Sequence, residues 1–287
     1  MKVGIGLPST IPGTSGPLIM EWARRAEERG FSSLAIIDRI VFPNYDSLIA
    51  LAAAGAVTER IGLLTNILVG PARNPVMLAK ESASVDQISN GRLTLGLGVG
   101  GREDDFRATG QEFKGRGKRW DRDLELIHRA WKGEHVAGSP QPVSPRTIRP
   151  EGVPILVGGN SEATLRRMVK WGTGWTAGGA PIDRLRPFIP RVHNAWKEAG
   201  REGNPRMVGL GYFGLGPNAD EGIAAYIGNY YAFIGPWVQG MIQGTPRTAE
   251  ALQATLKGFE EAGFHEFIWN PTIPQLAQVD LLADIVL

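Results

Sequence analysis

The sequence predicts a single (β/α)8 barrel over residues 1–287, and three observations carry that prediction. Short apolar strands alternate with amphipathic helices from end to end of the 287 residues. Eight strand candidates fall in that alternation, more than an open doubly wound sheet of this length ordinarily needs. The strands in RLTLGLGVGG (Arg92–Gly101) and VPILVGGNSEATLRR (Val153–Arg167) stop on paired glycines. Glycine at the carboxyl end of a parallel strand lets a ligand approach the backbone, because no Cβ blocks it.

Val3–Leu7 opens the chain as an apolar strand, a polar loop runs to Gly16, and Pro17–Arg29 follows as a helix. Phe31–Ile37 is the second strand, Tyr45–Thr58 an alanine-rich helix, and Ile61–Leu68 the third strand. Asn74–Pro75 begins the next helix, with proline in the first turn where its missing donor does no harm. Asn90–Gly91 stops that helix with a left-handed residue, and Arg92–Val99 is the fourth strand. The charged run REDDF (Arg102–Phe106) reads as a loop ahead of a helix around Arg119–Lys132. The proline-rich stretch 133–152 reads as a loop within the barrel, since the rhythm resumes directly after it. Ile155–Val157, Gly174–Thr176, Val208–Phe213 and Glu266–Trp269 complete the strands. Their helices are Glu162–Lys170, Leu185–Ala199, a segment within Asp220–Phe233, Ala249–Ala262 and the closing Leu276–Val286.

Composition narrows the function classes. A hydrophobic fraction of 43% with 21% charged residues is ordinary for a folded globular chain. A formal charge of +2, with no basic patch interleaved with aromatics, argues against nucleic acid. The absence of cysteine excludes disulfides, thiolate metal sites and cysteine nucleophiles. MKVGIGLPS lacks the apolar region of a signal peptide, and no apolar run reaches the roughly 18 residues of a membrane span. The expected location is the cytoplasm. His128, His135, His193 and His265 lack metal-ligand spacing, so no metal is expected. Neither a GxSxG elbow nor a Walker sequence occurs. GLGVGG superficially resembles a dinucleotide fingerprint, but it lies on the fourth strand and enters the charged run, so the Rossmann reading is set aside.

Barrels of this kind bind ligands at the carboxyl ends of their strands. Those positions here are Pro8–Ser9, Asp38–Arg39, Thr65–Asn66, Gly100–Glu103, Gly158–Ser161, Ala177–Gly179, Phe213–Gly216 and Asn270. They are rich in glycine and poor in acid–base groups, as in an enzyme whose cofactor carries the chemistry. The helix opening at Ser161–Glu162 offers free amides and a dipole that suit a phosphate. A flat, phosphorylated cofactor across the barrel mouth is expected.

The segment TNILVGPARNPVMLAKESASVDQISNGRLTLGLGVGGREDDFRATG resembles the signature region of the bacterial luciferase-like superfamily of flavin- and deazaflavin-dependent oxidoreductases. VPILVGGNSEATLRRMVKWGTGWTAGG and GTPRTAEALQATLKGFEEAGFHEFIW resemble later segments of the same superfamily, in the same order. The resemblance implies a luciferase-like barrel holding FMN or the deazaflavin coenzyme F-420. It places Thr65 and Asn66 at a bulge with a non-proline cis peptide against the ring, and gives Gly98 and Gly100 the task of leaving room for it. Gly158, Gly159, Asn160 and Ser161 match the phosphate loop, and Gly178 and Gly179 complete the phosphate end. The chain departs from the deazaflavin sugar-phosphate dehydrogenases in carrying Arg39 for a histidine and Gly101 for a glutamate. Glu103 is the nearest substitute carboxylate, and the long insertions of luciferase itself are absent.

The implied function is transfer of hydride between a reduced cofactor and a small organic substrate or oxygen, with a monooxygenase among the activities the resemblance implies. A barrel that binds a flavin without efficient turnover, as carrier or sensor, is the alternative. Asp38 would orient the cofactor or Arg39, or equally cap the next loop. Arg39 would grip an anionic acceptor with two bonds, or pair with Asp38 or Glu103. Of Glu103, Asp104 and Asp105, Glu103 is the candidate that reaches substrate. Trp175 and Trp269 read as packing residues. The aromatic run Tyr226–Trp237 would either cover the pocket or, preferentially, bury itself against a second subunit, making a homodimer or higher homo-oligomer.

Overall fold

In the computed structural model, which describes residues 1–287, eight parallel strands close into a barrel in chain order. β1 (Lys2–Gly6), β2 (Ser33–Ile36), β3 (Gly62–Val69) and β4 (Leu93–Gly98) come from the first third of the chain. β5 (Ile155–Gly158), β6 (Gly174–Thr176), β7 (Arg206–Phe213) and β8 (Glu266–Pro271) complete the ring. Closure is made by β8, which pairs with β7 on one side and β1 on the other. Ala35, Leu64, Leu156, Val208 and Ile268 fill the barrel interior. Alternate residues of the same strands, such as Leu34, Leu63 and Phe267, join the larger core under the helices.

The helices covering that core are α1 (Gly16–Arg29), α2 (Ser47–Ala56), α3 (Pro75–Ile88), α4 (Glu103–Ala108), α5 (Arg116–Trp131) and α6 (Glu162–Trp171). They continue with α7 (Ile182–Leu185), α8 (Ile189–Glu198), α9 (Ala219–Tyr230), α10 (Val238–Gly244), α11 (Ala249–Glu261) and α12 (Ala277–Val286). Several begin where a side chain can satisfy orphan amides. Asp46 accepts from Leu48 and Ile49, and Asn74 accepts from Val76 and Met77. Asp46 therefore starts α2 at Ser47, later than the expected Tyr45. Asn90 and Gly91 take φ of 53° and 78°, ending α3 as their sequence implied.

Three expectations needed correction. The charged run after β4 is not a loop: Glu103–Ala108 form α4, with three acids in the first turn where the helix dipole favours them. GLGVGG thus does lead toward a helix, and the dinucleotide reading falls instead because a closed barrel in sequential order has no switch point. The expected helix Leu185–Ala199 divides into α7 and α8, with Pro190 in the first turn of the second. After α9 the chain makes a 3-10 turn at Ala232–Trp237, broken at Gly235 and Pro236, before α10.

β3 is irregular where the site lies. Its register against β4 shifts between Thr65 and Leu68, and the Asn66–Ile67 peptide is cis. β4 admits this bulge because it is glycine at the two facing positions. A Cβ on Gly96 would come within 2.1 Å of the Thr65 carbonyl oxygen, and one on Gly98 within 2.2 Å of Ile67 Cδ1. Gly98 therefore makes room for Ile67 rather than directly for a ligand.

Candidate functional site

A cavity opens at the carboxyl ends of β2 to β7. Gly100 and Gly101 line it from the loop after β4, and Gly158 and Gly159 from the loop after β5, so the two glycine stops share one space. Its floor is the β3 bulge, through Asn66, Ile67 and Val69. Gly178 and Gly179 border it after β6. A Cβ on Gly101 or Gly178 would meet nothing within 4 Å, so a side chain there would enter the open volume.

The loop after β5, expected from the sequence to hold a phosphate, divides into two parts. Gly159 has a φ of 112°, and its carbonyl accepts a hydrogen bond of 2.7 Å from Trp175 Nε1. The buried Trp175 thereby packs the core, as expected, and also anchors this loop. Asn160 and Ser161 are exposed and stand outside the lining. Ser161 caps α6, its Oγ accepting from Thr164 N while its own N–H donates to Thr164 Oγ1. Thr65 also lies outside the lining, fully buried and donating to the Gly96 carbonyl at 2.9 Å.

Asp38 and Arg39 reach the cavity wall, but both are committed to the protein. Asp38 Oδ1 accepts from Ser47 Oγ (2.9 Å) and Arg73 Nη2 (2.8 Å), and Oδ2 accepts from Val69 N (2.9 Å). It ties the end of β2 to the end of β3. Arg39 Nε donates to Asp105 Oδ2 at 2.7 Å and Nη2 to Asp104 Oδ2 at 2.8 Å. Asp105 Oδ1 in turn accepts from Ile40 N and Val41 N. Arg39 therefore pairs, through Nε and Nη2, with the two acids beside Glu103 rather than with Asp38 or Glu103, and only Nη1 is left without a protein partner. Glu103 itself is exposed on α4 and stands outside the cavity, because the helix turns Asp105 inward in its place.

Sequence reasoning missed Arg102, Thr176, Tyr212, Tyr230 and Tyr231 as individual lining residues. Arg102 donates from Nη2 to the Tyr230 carbonyl at 2.8 Å, with its guanidinium carbon 4.6 Å from the Tyr230 ring centre and 3.9 Å from that of Phe233. Burial pulls its pKa below the usual arginine value. The Tyr212 and Tyr231 hydroxyls lie 2.7 Å apart. Burial raises the phenols of Tyr212, Tyr226, Tyr230 and Tyr231, so they remain protonated at any working pH. Thr176 Oγ1 donates to Asn66 Oδ1 at 2.6 Å across the cavity floor.

The aromatic run after β7 was a usable signal for the tyrosines, but their setting differs from the one expected. Tyr226 and Tyr230 pack inside this chain's own wall with Tyr212 and Ile227, and Tyr230 lines the cavity. Only the far end of the run is open, with Phe233 60% and Trp237 76% exposed. No helix is long and apolar enough to cross a membrane.

Comparison with known proteins places these features. The family described as luciferase-like monooxygenase matches residues 1–266. An uncharacterized protein of Mycobacterium tuberculosis is 31% identical over 206 residues, covering 62% of this chain and 71% of its own length. An F-420-dependent glucose-6-phosphate dehydrogenase of Nakamurella multipartita is 32% identical over 199 residues, covering 64% of this chain and 59% of its own. Among solved structures, an F-420-dependent secondary alcohol dehydrogenase in complex with an F-420–acetone adduct superposes with a TM-score of 0.80. The two are 18% identical, over 99% of this chain and 98% of that one, a likeness of fold.

Proposed function

This chain belongs to the luciferase-like monooxygenase family, and from that premise we propose a flavin- or deazaflavin-dependent oxidoreductase that reduces a small organic substrate. The cofactor would be FMN or F-420, held by the residues that line the cavity at the barrel mouth. One observation carries this reading: the cavity is walled at the strand ends by the bare backbone of Gly101, Gly158, Gly159, Gly178 and Gly179, and at Gly101 and Gly178 a Cβ would meet no protein atom within 4 Å. A flat ring with a phosphorylated tail fits such a cradle.

When bound and reduced, the cofactor supplies the hydride. The protein's own residues bind, orient and supply hydrogen-bond donors. Ile67 and Val69 offer apolar surface to a ring, and the glycine backbone at Gly158–Gly159 and Gly178–Gly179 receives the phosphate end. Asp38 and Asp105 hold loops in place and leave no free base to take a proton from an alcohol. The uncommitted groups are donors instead. Arg102 retains N–H groups beyond the one given to Tyr230, and the Tyr212–Tyr231 pair needs only one of its two hydrogens for its own contact. Such donors suit an oxygen that gathers negative charge as its carbon accepts hydride, which favours substrate reduction. With oxygen as co-substrate, the two electrons of the reduced cofactor would instead serve a monooxygenation, one oxygen atom entering the organic substrate and the other leaving as water. Glucose-6-phosphate dehydrogenation is not carried over, because Arg39 and Gly101 replace the histidine and glutamate of that pattern.

A second reading, a flavin-binding barrel without efficient turnover, draws on the ion pairs that already engage Asp38, Arg39 and Asp105. Fluorescence titration of the purified protein with oxidised FMN and F-420, followed by turnover of the reduced form with carbonyl compounds or oxygen, separates the two. Saturable binding of one cofactor is expected. Gly178→Asp should weaken it roughly tenfold or more, by placing a like charge near the phosphate. Binding of neither cofactor would refute both readings, and tight binding without turnover would favour the carrier.

A further inference from the structure

We propose that Thr176 is a positioning residue that fixes the Asn66 carboxamide as a hydrogen-bond donor to an acceptor atom of the bound ring. The inference rests on the flavin or deazaflavin reading above and assigns one specific recognition element within it.

Asn66 sits on the β3 bulge, lines the cavity floor and is only 5% exposed. A carboxamide has nearly the same shape in its two flipped orientations, yet one offers an acceptor and the other a donor. Its neighbour decides between them. The contact to Thr176 Oγ1 is 2.6 Å, within the range of an O–H···O bond and shorter than an ordinary N–H···O bond. Oδ1 therefore faces the threonine, and Nδ2 is turned away from it.

That amide nitrogen has no hydrogen-bond partner in the protein, although it is buried. A buried donor left unmatched is unfavourable, so the floor is incomplete until something supplies an acceptor. The nearby protein acceptors do not serve. Both oxygens of Asp38 are taken by Ser47, Val69 and Arg73, and those of Asp105 by Arg39, Ile40 and Val41. Ile67 and Val69 beside it are apolar. The missing acceptor must come from the ligand, and the carbonyl oxygens and ring nitrogens of a flavin or deazaflavin are acceptors of the required kind. The Thr176 contact also spans the barrel mouth from β6 to β3, two strands that are not neighbours. Closing the barrel is thus what sets the amide's direction.

The test uses the full chain, with fold checked by circular dichroism and affinity read by titration with oxidised FMN and F-420. Thr176→Val keeps the branched shape and removes the hydroxyl. It should weaken binding roughly fivefold to tenfold, the scale of one hydrogen bond. Thr176→Ser restores the hydroxyl and should return affinity to within about twofold of the unaltered chain. Asn66→Asp separates positioning from a simple strut between β3 and β6. Its carboxylate still accepts from Thr176 but no longer donates, so a strut would survive and ring recognition would not; a loss of roughly tenfold or more is expected. Wild-type affinity in Thr176→Val or in Asn66→Asp would overturn the proposal, as would a Thr176→Val defect that Thr176→Ser fails to rescue. Should Thr176→Val not fold, Asn66→Asp decides alone. If the unaltered chain binds neither cofactor, the cofactor reading itself falls and takes this inference with it. If it binds one normally and the variants do not respond, only this inference falls.

Discussion

Arg39 has the chemistry to grip an oxyanion, yet its guanidinium is 5% exposed and already faces Asp104 and Asp105. Asp105 is 2% exposed at its side chain, so removing the arginine leaves a buried carboxylate without its cation. Breaking a buried pair from one side costs about 3 kcal/mol or more. Arg39→Met should therefore lower the stability measured by urea unfolding by about that amount, before any effect on turnover is considered. Unchanged stability together with slower turnover would restore Arg39 as a residue acting on substrate. The polar character of Asp38 and Arg39 at a strand end was legible, because a strand's apolar run simply stops there. Their commitment was not, since the partners Arg73 and Asp105 lie 35 and 66 residues further along the chain.

At the scale of single elements, β3 and β4 show how a site is built into strands. The bulge at Asn66–Ile67 needs glycine opposite it at Gly96, where a Cβ would strike the Thr65 carbonyl, while at Gly98 a Cβ would meet the end of the Ile67 side chain. Gly96→Ala would drive a methyl group against the Thr65 carbonyl, a backbone atom that cannot swing aside. It should cost about 3 kcal/mol or more and sharply reduce the folded yield. Gly101→Ala, whose Cβ meets nothing within 4 Å, should leave thermal stability unchanged. Equal melting temperatures for the two variants would contradict this account of the bulge. The sequence marked Gly98 but not Gly96, and could not say what crowds either, because Ile67 and Thr65 approach from the neighbouring strand. The charged run after β4 misled for a related reason. A run of acids is usually a solvated surface, but a helix turns one residue in three or four inward, and here that residue is Asp105.

For the molecule as a whole, closure is the property on which the site depends. The family match ends at residue 266, the first residue of β8, whereas the barrel needs the whole strand to join β7 to β1. A chain cut after His265 would lose Phe267 and Trp269 from the core and α12 from its cover. It should show no cooperative thermal transition by circular dichroism, and a normal transition would mean that β8 is dispensable. Arg25 and Arg29 of α1, paired with Asp280 of α12, link the first and last helices on the same seam. Those pairs are partly exposed and contribute little beside the buried strand.

The sequence by itself determined the eightfold alternation, the strand ends that carry the site, and the glycine positions where a backbone must be approached closely. These follow from local periodicity, from side-chain size and from backbone freedom, all of which are written residue by residue. Only the tertiary structure decided which polar side chains remain free. It paired Arg39 with Asp105, turned Glu103 outward, brought Tyr212 against Tyr231, and set Thr176 against Asn66. Hydrogen bonds and ion pairs are saturable and depend on which groups meet, and those meetings exist only once the barrel closes.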